Sequence, residues 1–400
     1  MEVRPTTTIE EFADAVGSIG HYFGGWPDLE GAERFSRNLP LERMHAAFDG
    51  ERVVGGAGAL PFELTVPGGP VRCGGVTVVG VKPTDRRRGV LTQMMRAQLE
   101  DIRERGEPLA ALWASEEAIY RRFGYGLASL GCDMTLQRGF QGLRVPPDPA
   151  ASVRLVSLEE AKQLVPPIYD DVRLRTPGMY ARTPTWWETR ILDDPLDRRE
   201  DGAAKNVAIL DLDGEPVGYA LYRVISKWDA GQNVGHVRIL EAMASAAELE
   251  LWRYLLGLDW VGTFRASHLP PDHPLLHGLV YPRRLGLRIG DQLWIRLVDV
   301  GAALSARSYA GDGPLVLEVG DEFLPENAGR WRIGGGSAER TDDEADLALD
   351  VQELASLYLG GFGASELLRA GLVRELREDA AARADALFAT PRKPWTPEIF

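Results

Sequence analysis

Arg86-Arg87-Arg88-Gly89 stands where a β-branched run, Val76 to Val81, gives way to a stretch of helical period, Leu91 to Arg105. A helix N-terminus offers unpaired N–H groups and a partial positive charge, and together they bind phosphate. Gly89 lets a ligand approach the backbone closely, and arginines add bidentate contacts to phosphate oxygens. Strand, turn, arginines, glycine and helix in that order point to a pyrophosphate site. The stretch is not a P-loop, because no Gly-Lys-Ser/Thr follows it. It is not a dinucleotide fingerprint either, because it has a single glycine. Other reactive residue types carry less. His268, His273 and His277 are interrupted by Pro270, Pro271 and Pro274, which break any regular presentation of metal ligands, so no metal is expected. Trp186-Trp187 reads as a packing pair.

The elements that must position this loop occur twice. Phe48-Asp49-Gly50-Glu51-Arg52-Val53 and Leu212-Asp213-Gly214-Glu215-Pro216-Val217 are both β-hairpin signals, in which Asp-Gly supplies the positive φ of a tight turn. Each is followed by an apolar strand, Val76 to Val81 and His236 to Met243. A helical stretch comes next, Leu91 to Arg105 and Ala246 to Leu256. This order argues for two copies of one α/β domain. Pro146-Pro147-Asp148-Pro149-Ala150 reads as the linker, and the second copy fades near Val298. From Gly301 the pattern changes to short strands at Leu315–Val319, Arg330–Ile333 and Leu347–Leu349, with helices over Val351–Tyr358 and Glu375–Phe388. The end, Pro391 to Phe400, carries three prolines and is expected to run extended. Three domains follow: 1–146, 151–299 and 301–400.

Composition narrows the partners. The chain has 400 residues and a formal net charge of −14, which disfavours nonspecific nucleic-acid binding and suits a cationic small molecule. No run of about 18 apolar residues is present, so no membrane span is expected. Acidic residues interrupt the first residues where a signal peptide needs an apolar stretch. Cys73 and Cys132 are the two cysteines, and they read as reduced thiols in a cytoplasmic protein.

Arg86 to Leu91 resembles motif A of the GNAT acyl-CoA N-acyltransferases. The stretch Ala114-Ser115-Glu116-Glu117-Ala118-Ile119-Tyr120-Arg121-Arg122-Phe123-Gly124-Tyr125-Gly126 is more specific. With the tandem repeat, the third domain and Phe400, it is similar to the Eis (enhanced intracellular survival) family. The resemblance covers essentially the whole chain. It implies an α/β (α+β) fold of two GNAT domains, the first catalytic and the second degenerate, followed by a sterol-carrier-like domain with a catalytic tail. It also implies a hexamer and acetylation of amines, including those of aminoglycosides. Val79 and Val81 fall on the strand that holds pantetheine and the thioester carbonyl. Arg86, Arg87, Gly89, Val90 and Leu91 fall on the pyrophosphate loop, although the usual pattern has Gly or Ala where Leu91 stands. Ser115 is counted with the acetyl-CoA residues and also fits an N-cap. Tyr120 matches the general acid, and the Phe400 carboxylate matches the base.

The second copy reads Glu241-Ala242-Met243-Ala244-Ser245-Ala246-Ala247-Glu248 at the equivalent point. It lacks Arg-x-x-Gly and carries negative charge, so it is expected to serve as scaffold. The family's amine pocket draws aromatics and an acid from the region after the first helix, Ile9 to Gly20. His21, Tyr22, Phe23 and Trp26 supply aromatics here, but no acid stands at the corresponding point; the nearest are Asp28 and Glu30. The function expected is acetyl-CoA-dependent N-acetylation of a small cationic amine, an aminoglycoside or polyamine, by direct transfer in a ternary complex. A protein lysine acetyltransferase and a lipid carrier are the alternatives.

Overall fold

The computed structural model describes residues 1–25, 27–229, 231–311 and 313–400, so Trp26 lies outside the described residues. Two compact units result. One comprises Met1–Ser129, Leu293–Pro391 and Glu398–Phe400; the other comprises Leu130–Gln292 and Arg392–Pro397.

The first unit opens with β1 (Glu2–Pro5), α1 (Ile9–Phe23), α2 (Leu29–Ser36), β2 (Met44–Asp49), β3 (Arg52–Val66) and β4 (Gly69–Val81). It continues with α3 (Val90–Glu104), β5 (Leu109–Trp113), α4 (Glu117–Tyr120) and β6 (Gly126–Leu127). The second unit holds β7 (Leu130–Gln137), β8 (Ala151–Val156), α5 (Leu158–Arg173), β9 (Asn206–Leu212) and β10 (Glu215–Ile225). It also holds β11 (His236–Ala244), α6 (Glu248–Leu256), β12 (Thr263–Leu269) and β13 (Arg288–Asp291). The chain then returns to the first unit with β14 (Leu293–Leu297).

Both units are built on seven-stranded sheets of one design. The first has the order β1-β2-β3-β4-β5-β14-β6, and the second has β8-β9-β10-β11-β12-β7-β13. In each, only the fourth and fifth strands run parallel, β4 with β5 and β11 with β12. The sixth place is filled by exchange: β14 completes the first sheet and β7 the second. All five residues of β14 are buried, as a strand with neighbours on both sides and packed faces requires. β7 alternates, with Cys132, Met134 and Leu136 turned into the core of its unit. Sheet membership therefore changes at Ser129/Leu130 and at Gln292/Leu293, not at the proline-rich stretch 146–150.

Both Asp-Gly hairpins form, with Asp49 opposite Arg52 and Leu212 opposite Glu215. α1 runs one turn past Gly20 because residues 21–23 remain helical until Gly24 adopts φ +72°. The last domain is a five-stranded sheet covered by α7 (Val351–Tyr358) and α8 (Ala380–Phe388). The helix expected from Glu375 starts five residues later; Val373–Glu375 is a sheet strand instead, pairing with Leu347–Leu349. Both cysteines are buried free thiols. No described helix is long and apolar enough to cross a membrane.

Candidate active site

β4 and β5 pair only over Cys73–Gly75 and Leu109–Ala111, yet β4 continues to Val81. Residues 76–81 keep their bonds to β3 on one edge and, among the described residues, have no strand partner on the other. An unpaired edge presents N–H and C=O groups to whatever enters the fork. The fork is sharpened by a bulge: Gly56 faces Gly80 and Gly58 faces Thr77, so Val78 and Val79 together oppose Ala57. Val78 takes φ +48°, which a β-branched residue adopts only under constraint from its surroundings. Val79 and Val81 therefore stand on the free edge, and the Val81 carbonyl accepts a 2.9 Å bond from the Tyr22 hydroxyl.

The arginine loop closes the wide end of the fork. Arg87 and Gly89 both have positive φ, 61° and 78°, and Gly89 is the N-cap of α3 with no side-chain capping bond. The first-turn N–H groups of α3 thus have no cap side chain, and a Cβ on Gly89 would meet nothing nearer than Gln93 Nε2 at 3.9 Å. A helix start with no capping side chain and room above its glycine suits a phosphate. The three arginines divide their work. Arg88 is tied down by Asp49 at 3.0 Å and Asp85 at 2.9 Å, while Asp85 also takes a bidentate pair from Arg52, both at 2.9 Å. Arg52 and then Thr84 hold the Asp85 carboxyl well below the usual carboxylate range. Arg86 and Arg87 are exposed, and Arg86 lies 5.9 Å from the Tyr22 ring centre. Val90 is buried with Val54, Ala57 and Met94, and Leu91 packs on the same cluster, so both can offer the loop only backbone.

Tyr120 and Phe400 flank the narrow end. Tyr120 is packed in one cluster with Val76, Leu112, Phe123 and Trp294, where burial pushes its phenol up to about 12. Phe400 stacks edge to face on Phe62 with centroids 5.0 Å apart. The Phe62 ring in turn lies over Gly75, where a Cβ would come within 2.3 Å of it. Phe400 is thereby anchored beside the last residue that β4 shares with β5. A frayed end is the usual outcome for terminal residues, and Phe62 is what opposes it here.

One sequence reading is corrected. Ser115 is exposed and does not cap α4, because that helix starts at Glu117 with Glu116 in the cap position and no capping bond. Asp28 is the N-cap of α2, accepting from Gly31 N at 2.7 Å. Tyr22 and His21 form an edge-to-face pair at 5.4 Å on the last turn of α1. Sequence reasoning also missed the support beneath Tyr120. Tyr125, fully buried, meets Tyr120 edge to face, and Arg296 on β14 lies close enough to temper the strong upward shift that burial gives its phenol. Arg296 pairs with Asp321 at 2.6 Å, with both side chains at most 1% exposed. Gly124 makes room for it, since a Cβ there would fall 2.0 Å from the guanidinium. One arginine inside the apolar run Leu293-Trp294-Ile295-Arg296-Leu297 was the available signal. Among the described residues no group of three or more His, Cys, Asp or Glu could hold a metal ion.

Family models agree with this architecture. An acetyltransferase (GNAT) domain matches residues 2–128, a second acetyltransferase (GNAT) domain matches 178–297, and a sterol carrier protein domain matches 300–397. An uncharacterized N-acetyltransferase of Streptomyces avermitilis is 41% identical over 387 residues, covering 94% of each chain. The N-acetyltransferase Eis of Mycobacterium tuberculosis is 37% identical over 355 residues, 85% of this chain and 84% of that one. The crystal structure of Eis1 from Mycobacterium abscessus superposes over the whole of both chains with a TM-score of 0.86 at 35% identity. A forked parallel pair, an open loop at a helix N-terminus and a matching tandem architecture converge on one conclusion: the chain belongs to the Eis family of GNAT N-acetyltransferases.

Proposed function

We propose that the protein transfers the acetyl group of acetyl-CoA directly to a primary amine of a small cationic acceptor in a ternary complex. The observation that carries this reading is the fork: β4 runs six residues past its last partner on β5, beside the open Arg86–Gly89 loop. Arg86, Arg87 and the N–H groups of Gly89, Val90 and Leu91 hold the diphosphate, while the free edge at Val79 and Val81 aligns the pantetheine arm. Acetyl-CoA, when bound, supplies the acetyl group through its thioester. The amine nitrogen forms the new C–N bond as the C–S bond breaks. The Tyr120 hydroxyl gives its proton to the departing sulfur, and the Phe400 carboxylate takes the proton shed by the amine. The Phe400 carboxyl releases its proton to solvent and solvent returns one to Tyr120, so coenzyme A and an acetamide are the products with no net proton taken up. Ser115 is placed with the co-substrate by family resemblance alone.

The formal charge of −14 supports a cationic acceptor such as a polyamine or an aminoglycoside. An assay of coenzyme A release over a panel of aminoglycosides, polyamines and lysine peptides tests the reading. Turnover is expected with a small polyamine or aminoglycoside. Turnover confined to lysine peptides would overturn the acceptor class, and none at all would overturn the reading.

A further inference from the structure

The second unit contains the same fork, and it is filled. β11 and β12 pair from His236/Thr263 to Ile239/Ala266 and then part, while β11 runs on to Ala244. The chain's own segment Arg392–Pro397 clusters with this unit. Trp395 is 6% exposed and belongs to the core formed by Val172, Met179, Trp187 and Met243. Its backbone N–H donates to Pro177 O at 2.9 Å, and its indole N–H donates to His268 O. His268 takes φ +56° inside β12, a left-handed conformation that breaks the register between Ala266 and Leu269. Gly178 permits the close approach: a Cβ there would lie 2.9 Å from the Trp395 carbonyl oxygen. Gln292 grips the next residue from both sides, donating to Thr396 O at 2.7 Å and accepting from Thr396 N at 3.2 Å. Lys393 N donates to Asp272 at 3.3 Å.

The loop end of this fork is also changed. Where α3 of the first unit starts from Gly89, α6 starts from Ala247 at φ +54° and carries Glu248 and Glu250 in its first turn. Ala242, Met243, Ala244 and Glu248 line a recess shared with Arg392 and Trp395. Arg392 partly offsets the burial that raises the Glu248 carboxyl.

We propose that this second fork is a peptide-binding groove whose ligand is the chain's own cationic, tryptophan-anchored segment Arg392–Pro397, and that Trp395 and Gln292 are positioning residues for Phe400. The groove stands on its own geometry; its kinetic consequence rests on the proposed role of Phe400. At the fork of the second unit the segment is held by one strand carbonyl, His268 O, which accepts from the Trp395 indole, and otherwise by Pro177 O and the Gln292 and Asp272 side chains.

Hydrogen exchange by mass spectrometry on the full chain tests this. In the wild-type protein the amides of Lys393, Trp395 and Thr396 are expected to exchange about 100-fold or more slowly than in unstructured chain, and Gln292→Ala is expected to speed them about tenfold. Gln292→Ala should also lower kcat about 10- to 100-fold with KM for acetyl-CoA unchanged. Trp395→Phe keeps the anchor and should retain most turnover, which separates positioning from collapse of the unit. Exchange of 393–396 at unstructured rates in the wild type, or protection untouched by Gln292→Ala, would overturn the groove. Lost protection with unchanged kcat would support the groove and overturn the role of Phe400 instead.

Discussion

Tyr120 meets Tyr125 edge to face with ring centroids 5.9 Å apart, one phenol at the fork and the other sealed beneath it. Burial pushes Tyr120 up to about 12, so it stays protonated through the whole range in which an amine can be assayed. Tyr120→Phe is expected to lower kcat about 10²- to 10⁴-fold while leaving KM for acetyl-CoA nearly unchanged. In the wild type, kcat should show no fall between pH 7 and about 10 from loss of this proton. Initial rates of thiol release across that range check both.

Asp85 collects Arg52 and Arg88, and so fixes the turn that carries Arg86 and Arg87. Asp85→Asn and Arg88→Ala should each raise KM for acetyl-CoA about tenfold by loosening one loop. The double variant should be no worse than either single one, because both remove the same restraint. Additive losses would mean that Arg88 touches the co-substrate itself.

Arg296 and Asp321 form a buried pair, and removing one partner leaves the other charge stranded. Asp321→Ala should cost about 3–5 kcal/mol of stability. Calorimetric scans of the two proteins give the comparison. Kinetic loss beyond the loss of folded protein is also expected, since Arg296 lies beside Tyr125.

Glu248 makes stability depend on pH in an unusual sense. Burial raises its carboxyl to about 7, and Arg392 only partly offsets it. His273 contributes no charge, because burial drops it to about 3; its Nδ1 accepts from Leu275 N, which leaves Nε2 protonated 3.4 Å from Glu248. An acid with a raised folded pKa favours the folded state below its ordinary value near 4.5, and that contribution is lost as pH rises through about 7. Glu248→Gln should therefore gain melting temperature relative to wild type between pH 5 and pH 8. A constant difference between the two proteins over that range would reject the shift.

Much of the scaffold is legible in the residues. Asp49-Gly50 and Asp213-Gly214 fix hairpins by local turn chemistry, and Arg86–Gly89 announces a helix start, because these signals act over a few residues. The exchange of β7 and β14 is not legible, since any apolar strand of the right length satisfies either sheet and only tertiary packing decides. Arg296 looks like an intruder in an apolar strand until Asp321, 25 residues on, is seen to neutralise it. Trp395 reads as part of a plain proline-rich tail, because its partners Pro177 and His268, and the Gln292 that holds Thr396 beside it, lie far apart in the chain. Tyr120 is the reverse case: the role proposed for it comes from family resemblance, while its burial comes from the fold.

Titration calorimetry of coenzyme A against three proteins tests the diphosphate site most directly. Wild type and Tyr120→Phe should bind with equal affinity, and the double variant Arg86→Ala, Arg87→Ala should bind at least about tenfold more weakly. No heat with the wild-type protein, or equal affinity in all three, would contradict a coenzyme held by the loop at the start of α3.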